Sequence, residues 1–175
     1  MKIETSRFIL RPWVKEDAKA LYKYASNEKI GPSAGWLPHK SITESEDIIK
    51  TIFAIPNTFA IVLKSINEPV GSIGLMVGKY SSLSLPDNEA ELGYWLGVPY
   101  WGQEIMPEAV REILKYGFEY LNLKKIWCCC SSENKNSKRV QEKCGFSFVK
   151  SENSEYELLN KKIIREIRVL ENNNY

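Results

Sequence analysis

The segment KKIWCCCS, residues 124–131, constrains the fold more than any other part of the sequence. Behind its two lysines the run is almost continuously apolar, yet it is far too short to cross a membrane as a helix. A run of this kind is typical of a central β-strand that is covered on both faces. The sequence therefore predicts a sheet with helices packed against both of its sides.

The other segments supply the partners of this central strand. The last two predicted strands are expected to form a hairpin around residues 160–162 (NKK). Apolar or alternating patterns bounded by turn residues predict strands at 6–13, 58–64, 69–80, 88–97, 146–159 and 163–171.

Helical spacing of apolar residues predicts three helices, and Gly145, a natural left-handed cap, closes a fourth. The first lies at 15–26, and the second follows a capping box formed by Thr43 and Glu46. The third runs from Pro107 to Leu121, and the fourth lies at 136–143. A loop rich in Gly and Pro, residues 29–41, separates the first two. The resulting order, β-α-α-β-β-β-α-β-α-β-β, predicts an α/β (α+β) fold. Its mixed, mostly antiparallel sheet has six to seven strands, with about four helices on the two faces.

Length and composition indicate one ordinary globular domain. The 175 residues suffice for a single well-buried core, assigned to 1–171, and the Asn-rich end 172–175 is expected to be frayed. A net charge of +2 is too small to indicate a nucleic-acid partner. No apolar run approaches a membrane span and the start lacks an apolar signal core, so a cytoplasmic protein without membrane attachment is expected.

Three of the four cysteines, Cys128, Cys129 and Cys130, are consecutive. In a strand, the side chain of Cys129 points away from those of its two neighbours. Together with the distant Cys144, this spacing suits neither a zinc knuckle nor a disulfide framework. The sequence therefore predicts reduced thiols and no metal site.

The segment YWGQEIMPEA, residues 100–109, joins a strand to a helix through a glycine turn. Helix N-termini carry free N–H groups and a partial positive charge, so they bind anions well. The pattern predicts either an anion-binding loop or a simple corner between two elements. A negative charge at Glu104 is unexpected in an anion-binding loop.

Two longer motifs, ELGYWLGVPYWGQEIMPEAVREIL (91–114) and NKNSKRVQEKCGF (134–146), together resemble the GNAT acetyltransferase superfamily. Within it, the pattern is similar to the RimJ/RimL-like branch of ribosomal-protein N-acetyltransferases. The segment RFILRPWVKEDAKAL (7–21) and the order of elements fit the same branch, so the likeness covers nearly the whole chain. The resemblance implies a GNAT fold with acetyl-CoA as the acetyl donor.

The resemblance also implies where the donor binds. Its pantetheine arm is expected along a strand edge near Trp95 and Leu96. The family usually has glycine at position 104, so the glutamate is expected either to turn its side chain outward or to weaken the site. The pyrophosphate is expected on the backbone amides of Gly102, Gln103, Glu104, Ile105 and Met106.

Glu91 matches the glutamate of the family's ELGYW pattern and is the first candidate for the base that deprotonates the amine. Glu89 lies two residues earlier, hence on the same face of the strand, and is a candidate contact for the acceptor. The alternative is that both glutamates line a solvated face of the sheet.

In the family pattern NxxS, Asn134 contacts the pantetheine, and Ser137 lies near the sulfur as a proton donor. Both residues also suit a helix N-terminus as capping residues. A strand amide near Leu96 is expected to hold the oxyanion. Lys138, one of several basic residues on this helix, is a candidate contact for the 3′-phosphate of the donor.

The loop 29–41 is expected to flank the acceptor cleft. Trp36 would form an apolar wall there, and His39 would contact the substrate. The alternative for His39, the only histidine of the chain, is a surface residue without such a contact.

The resemblance implies an acyltransferase that moves an acetyl group from acetyl-CoA to a primary amine by direct attack in a ternary complex. A protein N-terminal α-amine is the first candidate acceptor, because its pKa of roughly 7.7–8.0 makes deprotonation easier than for a lysine-like amine. The alternatives are a small-molecule amine (an antibiotic, polyamine or amino acid) and a non-catalytic acyl-CoA-binding protein. The exposed hairpin end leaves a homodimer open.

Overall fold

A computed structural model describes residues 2–174 of the chain. Its strands are β1 (Ile3–Glu4), β2 (Phe8–Arg11), β3 (Thr58–Leu63), β4 (Glu68–Val77), β5 (Glu89–Leu96), β6 (Lys125–Ser131), β7 (Ser147–Tyr156) and β8 (Lys161–Glu171). They form one eight-stranded sheet in the spatial order β1-β2-β3-β4-β5-β6-β8-β7. Neighbouring strands are antiparallel, except for the parallel pair β5 and β6.

The α-helices within this range are α1 (Ala18–Ala25), α2 (Gly31–Ala34), α3 (Ile42–Lys50), α4 (Ile105–Lys115) and α5 (Lys135–Lys143). None of these helices is long and apolar enough to span a bilayer. The predicted fold, a mixed and mostly antiparallel sheet with helices on two faces, is confirmed.

Two small elements raise the counts above the predicted ones. Strand β1 has only two residues, which pair with β2. Helix α2 lies inside the predicted loop 29–41, with Pro32 in its first turn and Gly35 ending it in the left-handed region at φ 90°. Elements this short cannot show a hydrophobic period, which is why the sequence pattern did not predict them.

The predicted capping box of Thr43 and Glu46 is wrong by two residues. Ser41 is the N-cap of α3, and its Oγ accepts a hydrogen bond from the backbone N–H of Glu44 (3.0 Å). The Glu44 carboxylate in turn accepts from the backbone N–H of Lys40 (2.5 Å). The same serine/threonine–glutamate spacing occurs twice in this segment, and the earlier pair forms the cap.

Helix α4 begins at Ile105, two residues before the predicted start at Pro107. Its apolar stripe is buried, with Ile113 and Leu114 fully covered. The stripe predicted to run to Leu121 continues through a π-helical turn, Tyr116–Tyr120, rather than through regular α-helix. The turn keeps the apolar side chains on the same side, so periodicity alone did not reveal it.

The two faces of the sheet are covered by different helices, as β3 illustrates. Ile61 belongs to the core that α4 covers. Ala60 and Val62 point the other way, where they pack with Leu21 of α1 and Ile49 of α3. This alternation gives the central strands their apolar side chains on both faces.

The parallel strands β5 and β6 pair over only half of their length. Their register runs from Glu89–Lys125 to Leu92–Cys128 and stops there. Beyond this point β5 stays paired with β4 as far as Leu96, and β6 stays paired with β8 as far as Ser131. The two strands therefore separate in the middle of the sheet and open a cleft between them.

Asn172, where the sequence predicts that a frayed end begins, is hydrogen-bonded in the structure. Its backbone N–H donates to Lys124 O (3.0 Å), and its side-chain Nδ2 donates to Leu123 O (3.1 Å). Asn172–Asn174 form a short 3₁₀ turn, and Tyr175 lies outside the described residues.

Asp17 connects the end of β2 to α1 and gives a first test of the fold. Its carboxylate, only 6% exposed, is bound by both terminal nitrogens of Arg11 (2.6 and 2.8 Å) and by the backbone N–H of Val14 (3.0 Å). We expect Asp17→Asn to lower the free energy of unfolding by about 2–4 kcal/mol, because it leaves a guanidinium without its partner. Urea denaturation measures this change.

The control is Asp47→Asn on α3, where the carboxylate is 68% exposed. Its effect should stay within about 0.5 kcal/mol. Equal losses in the two variants would show that the Arg11 contact contributes nothing special to stability.

Candidate active site

A cavity of about 900 Å³ lies at the opening between β5 and β6. On the side of α4 and α5 it is lined by the first residues of α4 and by Ser137, Arg139 and Lys143. On the side of α1 and α3 it is lined by Trp36, Glu91 and further residues of the sheet. Because its walls include both faces of β5, the cavity connects the two sides of the sheet.

The start of α4 forms the corner predicted to bind an anion. The first backbone bond into this helix runs from Glu108 N–H to Glu104 O (3.3 Å), so the preceding amides have no acceptor inside the helix. Gly102 has φ 75°, and nothing lies within 4 Å of where its Cβ would be. The glycine is therefore required by its backbone conformation rather than by lack of space.

Arg7, which sequence reasoning missed, braces this corner from the N-terminal strands. Its Nη1 donates to Gln103 O (2.8 Å) and its Nε to the Glu108 carboxylate (2.7 Å). The Gln103 side chain donates back to Pro99 O (2.8 Å). These contacts hold the loop in shape while its amides at the helix start stay available. Arg7 begins the family-like segment 7–21, but nothing in that segment indicates a contact with a loop so far away in sequence.

Glu104 adopts a left-handed backbone at φ 59°, the conformation for which glycine is suited. Its side chain makes no capping bond to α4 but forms an ion pair with Lys143 of α5. The hydrogen bond from Lys143 lowers the pKa of this carboxyl below its usual value. The carboxylate is thus directed to α5. It does not fill the corner formed by the backbone amides of residues 102–106, named here the amide corner.

Replacing Glu104 with glycine tests how this residue affects stability and donor binding. We expect the free energy of unfolding to rise by up to about 1 kcal/mol, because glycine adopts φ > 0 without strain. We also expect CoA to bind several-fold more tightly, since Lys143 at the cavity wall loses its carboxylate partner. Thermal denaturation and calorimetric titration with CoA measure the two effects.

Glu104→Gln is the matched control, because it removes the charge but keeps a side chain at φ > 0. It should tighten CoA binding without the gain in stability. Unchanged affinity in both variants would mean that the ion pair has no influence on the donor site.

The half of β5 that does not pair with β6 is the strand edge along which the pantetheine arm was predicted to bind. Gly93 to Leu96 are paired with β4 on one side only. Leu96 O accepts a hydrogen bond from Trp101 Nε1 (2.7 Å). Trp95 and Leu96 both line the cavity, as the interpretation of this edge requires. The unpaired backbone along this stretch has the form that accepts an extended ligand as an extra strand.

Glu91 lines the cavity, and a segment after β4 holds its carboxylate. It accepts hydrogen bonds from Ser81 Oγ (2.9 Å), Ser82 N (2.8 Å) and Ser82 Oγ (3.0 Å). Glu89, in contrast, accepts from Trp127 Nε1 (2.6 Å) and lies outside the cavity lining. The two glutamates share a strand face, as predicted, but the structure brings Glu91 alone of this pair to the cavity.

Asn134 is the N-cap of α5, and its Oδ1 accepts from the backbone N–H of Ser137 (3.0 Å). Its Nδ2 donates to Ser33 O in α2 (3.1 Å), which links the two sides of the cavity. The capping interpretation of Asn134 is therefore confirmed. The side chain also lines the cavity, where the donor contact was predicted.

Ser137 lies in a hydrogen-bonded group that the sequence did not reveal. Its Oγ is 2.9 Å from the hydroxyl of Tyr94 on β5 and accepts from Gln141 Nε2 (3.1 Å). Gln141 is fully buried, and its Oε1 accepts from Arg168 Nη1 (3.4 Å). Burial raises the pKa of Tyr94 well above its usual value, so its hydroxyl stays protonated.

The structure does not bring Lys138, the predicted phosphate contact, to the cavity. Its ammonium pairs with Glu166 (2.8 Å) on β8 and lies outside the cavity lining. Arg139 and Lys143, four residues apart on one face of α5, line the cavity instead. Lys138 and Arg139 differ by one position, which turns the side chain by about 100° around the helix.

His39 is buried rather than a surface residue, and it lies outside the cavity lining. Its Nδ1 is 2.8 Å from Ser45 Oγ, and its ring is 5.3 Å from that of Trp36. Burial lowers the pKa of this imidazole. The structure therefore gives His39 no direct contact with the cavity, whereas Trp36 is part of the cavity lining.

The cysteines of β6 alternate as predicted, with Cys128 and Cys130 buried and Cys129 partly exposed on the opposite face. Burial raises the pKa of Cys129 to about 12, which keeps this thiol protonated. A protonated thiol is a poor nucleophile. Within residues 2–174 no three His, Cys, Asp or Glu side chains form a group that could hold a metal ion.

Comparisons with known proteins agree with this geometry. The family model described as an acetyltransferase (GNAT) domain matches residues 7–147. The uncharacterized N-acetyltransferase p20 of Bacillus licheniformis is 29% identical over 147 residues, 81% of this chain and 80% of the relative.

Two solved structures share the whole fold. The ribosomal-protein-S5-alanine acetyltransferase of Vibrio fischeri superposes with a TM-score of 0.80 at 18% identity, over 100% of this chain and 98% of that one. The spermidine N-acetyltransferase of Vibrio cholerae, solved with CoA and spermine, gives 0.77 at 18% identity, over 98% and 99%. With the family model spanning the amide corner, the separated strands and the start of α5, the chain belongs to the GNAT acetyltransferase family and is an acyltransferase.

Proposed function

We propose that the protein transfers an acetyl group from acetyl-CoA to the α-amine of a protein N-terminus, by direct attack in a ternary complex. One observation carries the proposal. A single cavity joins an amide-rich corner beside Arg139 and Lys143 to a chamber on the opposite face that contains Glu91. The two reactants can therefore approach from opposite sides of the sheet and meet where β5 and β6 separate.

The residues on the α4 side fit the donor. The amides from Gly102 to Met106 and the cations of Arg139 and Lys143 suit phosphate groups. The backbone from Gly93 to Leu96, which has no strand partner on the side of β6, suits the pantetheine arm, which carries amides of its own. Asn134 lies beside this path. Acetyl-CoA supplies the activated acetyl group.

The residues near the strand separation fit the chemistry of amide formation. Glu91 accepts the proton of the attacking amine, directly or through a water molecule. A backbone amide near Leu96 stabilises the oxyanion. Ser137 donates a proton to the leaving thiolate. Tyr94 donates its one proton to Ser137 Oγ or to Ser137 O (3.2 Å). When Tyr94 and Gln141 both donate to Ser137 Oγ, the proton of Ser137 itself is free for this role.

An N-terminal amine is proposed as the acceptor because its pKa, roughly 7.7–8.0, lies closer to neutrality than that of a lysine-like amine. The Vibrio fischeri structure named as a ribosomal-protein acetyltransferase supports the same class. The alternative is a small-molecule amine. It is supported by the Vibrio cholerae enzyme solved with spermine.

The test is release of free CoA thiol from acetyl-CoA in the presence of matched peptides. One peptide has a free α-amine and no lysine, and the other has a blocked N-terminus and one lysine. We expect rapid thiol release with the first and acetylation of its α-amine in the mass spectrum. Reaction with small amines alone would overturn the N-terminal acceptor, and no thiol release with any amine would overturn acetyl transfer.

Two further features belong to the proposal. We place the reaction in the cytoplasm, which is consistent with four cysteines that are free thiols. A homodimer through the β7–β8 hairpin is supported by the exposed apolar side chains of Phe148, Leu158 and Ile164. Sedimentation analysis of a Phe148→Ser variant tests the dimer, since this change should shift the protein to monomers.

A further inference from the structure

The half of the cavity on the α1 and α3 side is walled by apolar side chains. Trp36 and Trp95 meet edge to face with ring centroids 6.2 Å apart, and Phe53 stacks on Trp13 at 4.9 Å. These aromatic groups are held by the core beneath them. The apolar lining includes Trp36, Ile52, Phe53, Ile55, Met76 and Trp95, named here the apolar wall.

The charges in this half are few and of opposite sign. Among the described residues that line it, the charged ones are Glu91 and Arg165. Arg165 Nε donates to the Glu152 carboxylate (3.1 Å), so its charge is already paired. The Glu91 carboxylate therefore remains to bind an ammonium group, and it can neutralise one. An acceptor with several ammonium groups would need several carboxylates, and this chamber does not offer them.

The floor of the chamber beside Glu91 includes Met76, the cross-strand partner of Glu91. Gly93 lies two residues further along β5, on the same face, and is the cross-strand partner of Gly74. A Cβ at Gly93 would come within 2.9 Å of Met76 Cε. Met76 therefore lies over Gly93, which accommodates this side chain because it has no Cβ. The room for a side chain next to the amine is the cavity itself, bounded by the apolar wall.

We infer that the acceptor carries a large apolar group, aromatic or branched aliphatic, next to its amine, and that in a protein acceptor this group is the side chain of the first residue. The inference rests on the proposed function. The amine faces Glu91, and the apolar group contacts Met76 and the rest of the apolar wall. Burial of such a group favours this acceptor over one with a small polar residue in the same place.

Peptides that differ only in their first residue test the inference. With acetyl-CoA saturating, we expect kcat/KM for Phe- or Leu-first peptides to exceed that for Ser- or Asp-first peptides by about tenfold or more. Spermidine should react more slowly than any apolar peptide. Equal rates for Phe and Ser, or a preference for spermidine, would overturn the inference while acetyl transfer itself stands. If none of the amines led to release of thiol, both proposals would be overturned.

A matched pair of exposed isoleucines connects the preference to the apolar wall. Ile52 is 53% exposed at the edge of the chamber, and Ile66 is 50% exposed in the turn between β3 and β4, outside it. Ile52→Asp should reduce the Phe-over-Ser preference to less than about threefold and leave KM for acetyl-CoA unchanged. Ile66→Asp should leave both quantities unchanged. A full preference in Ile52→Asp would contradict the assignment of the apolar wall.

Discussion

Replacing Glu91 with glutamine is expected to lower kcat/KM for the amine about a hundredfold, the usual contribution of a general base. Glutamine has the same size and can still accept hydrogen bonds from Ser81 and Ser82, so the segment after β4 keeps its place. It cannot accept a proton from the amine. Initial rates of CoA thiol release measure the loss, at saturating acetyl-CoA and over the pH range in which the protein is folded.

Two other glutamates provide the comparison. Glu155→Gln on the exposed strand β7 should leave the rate unchanged. Glu89→Gln should lose far less than Glu91→Gln, because Glu89 binds Trp127 outside the cavity. A Glu91→Gln enzyme that is fully active across the pH range would end the claim of this residue as the base. An equal loss of rate in Glu89→Gln and Glu91→Gln would show that a position in the cavity lining does not decide which glutamate is needed.

Replacing Ser137 with alanine is expected to lower kcat about a hundredfold, with little change in KM for acetyl-CoA. The hydroxyl is needed when the thiolate leaves, whereas α5 keeps its cap because Asn134 binds the backbone of residue 137. Steady-state rates at several acetyl-CoA concentrations separate the two constants.

The neighbours of Ser137 sharpen this test. Tyr94→Phe should cost less than Ser137→Ala, because the serine then still accepts from Gln141. Ser147→Ala, on the exposed end of β7, is the neutral control. If Ser137→Ala raises KM and leaves kcat intact, the serine binds the donor rather than protonating the thiolate.

The sheet and its large helices could be predicted because their side chains are placed by burial. The run KKIWCCCS forms the central strand β6, and the stripe of α4 is buried as expected. A period of two or 3.6 in apolar residues reports directly on such burial. The short elements β1 and α2 carry no period, so they were not predicted.

The site was predictable only where a motif surrounds a residue. Glu91, Ser137 and Asn134 stand in such motifs and lie at the cavity. Arg7, which braces the amide corner, begins the family-like segment 7–21, but its contact acts across 96 residues of sequence and nothing in that segment indicates it. Lys138 shows another limit, since a basic run does not say which of its cations faces the cavity. The angle of α5 against the sheet decides that, and this angle is a tertiary property.

The order of strands also bears on how the protein comes to be folded during synthesis. Strand β8 (161–171) is inserted between β6 and β7, so the apolar β6 lacks its second neighbour until residues 161–171 have left the ribosome. Up to that point β6 is an exposed apolar edge, the kind of edge that recruits other chains. The nascent polypeptide therefore passes through a stage that favours aggregation, and arrival of β8 ends that stage and completes the wall of the cleft.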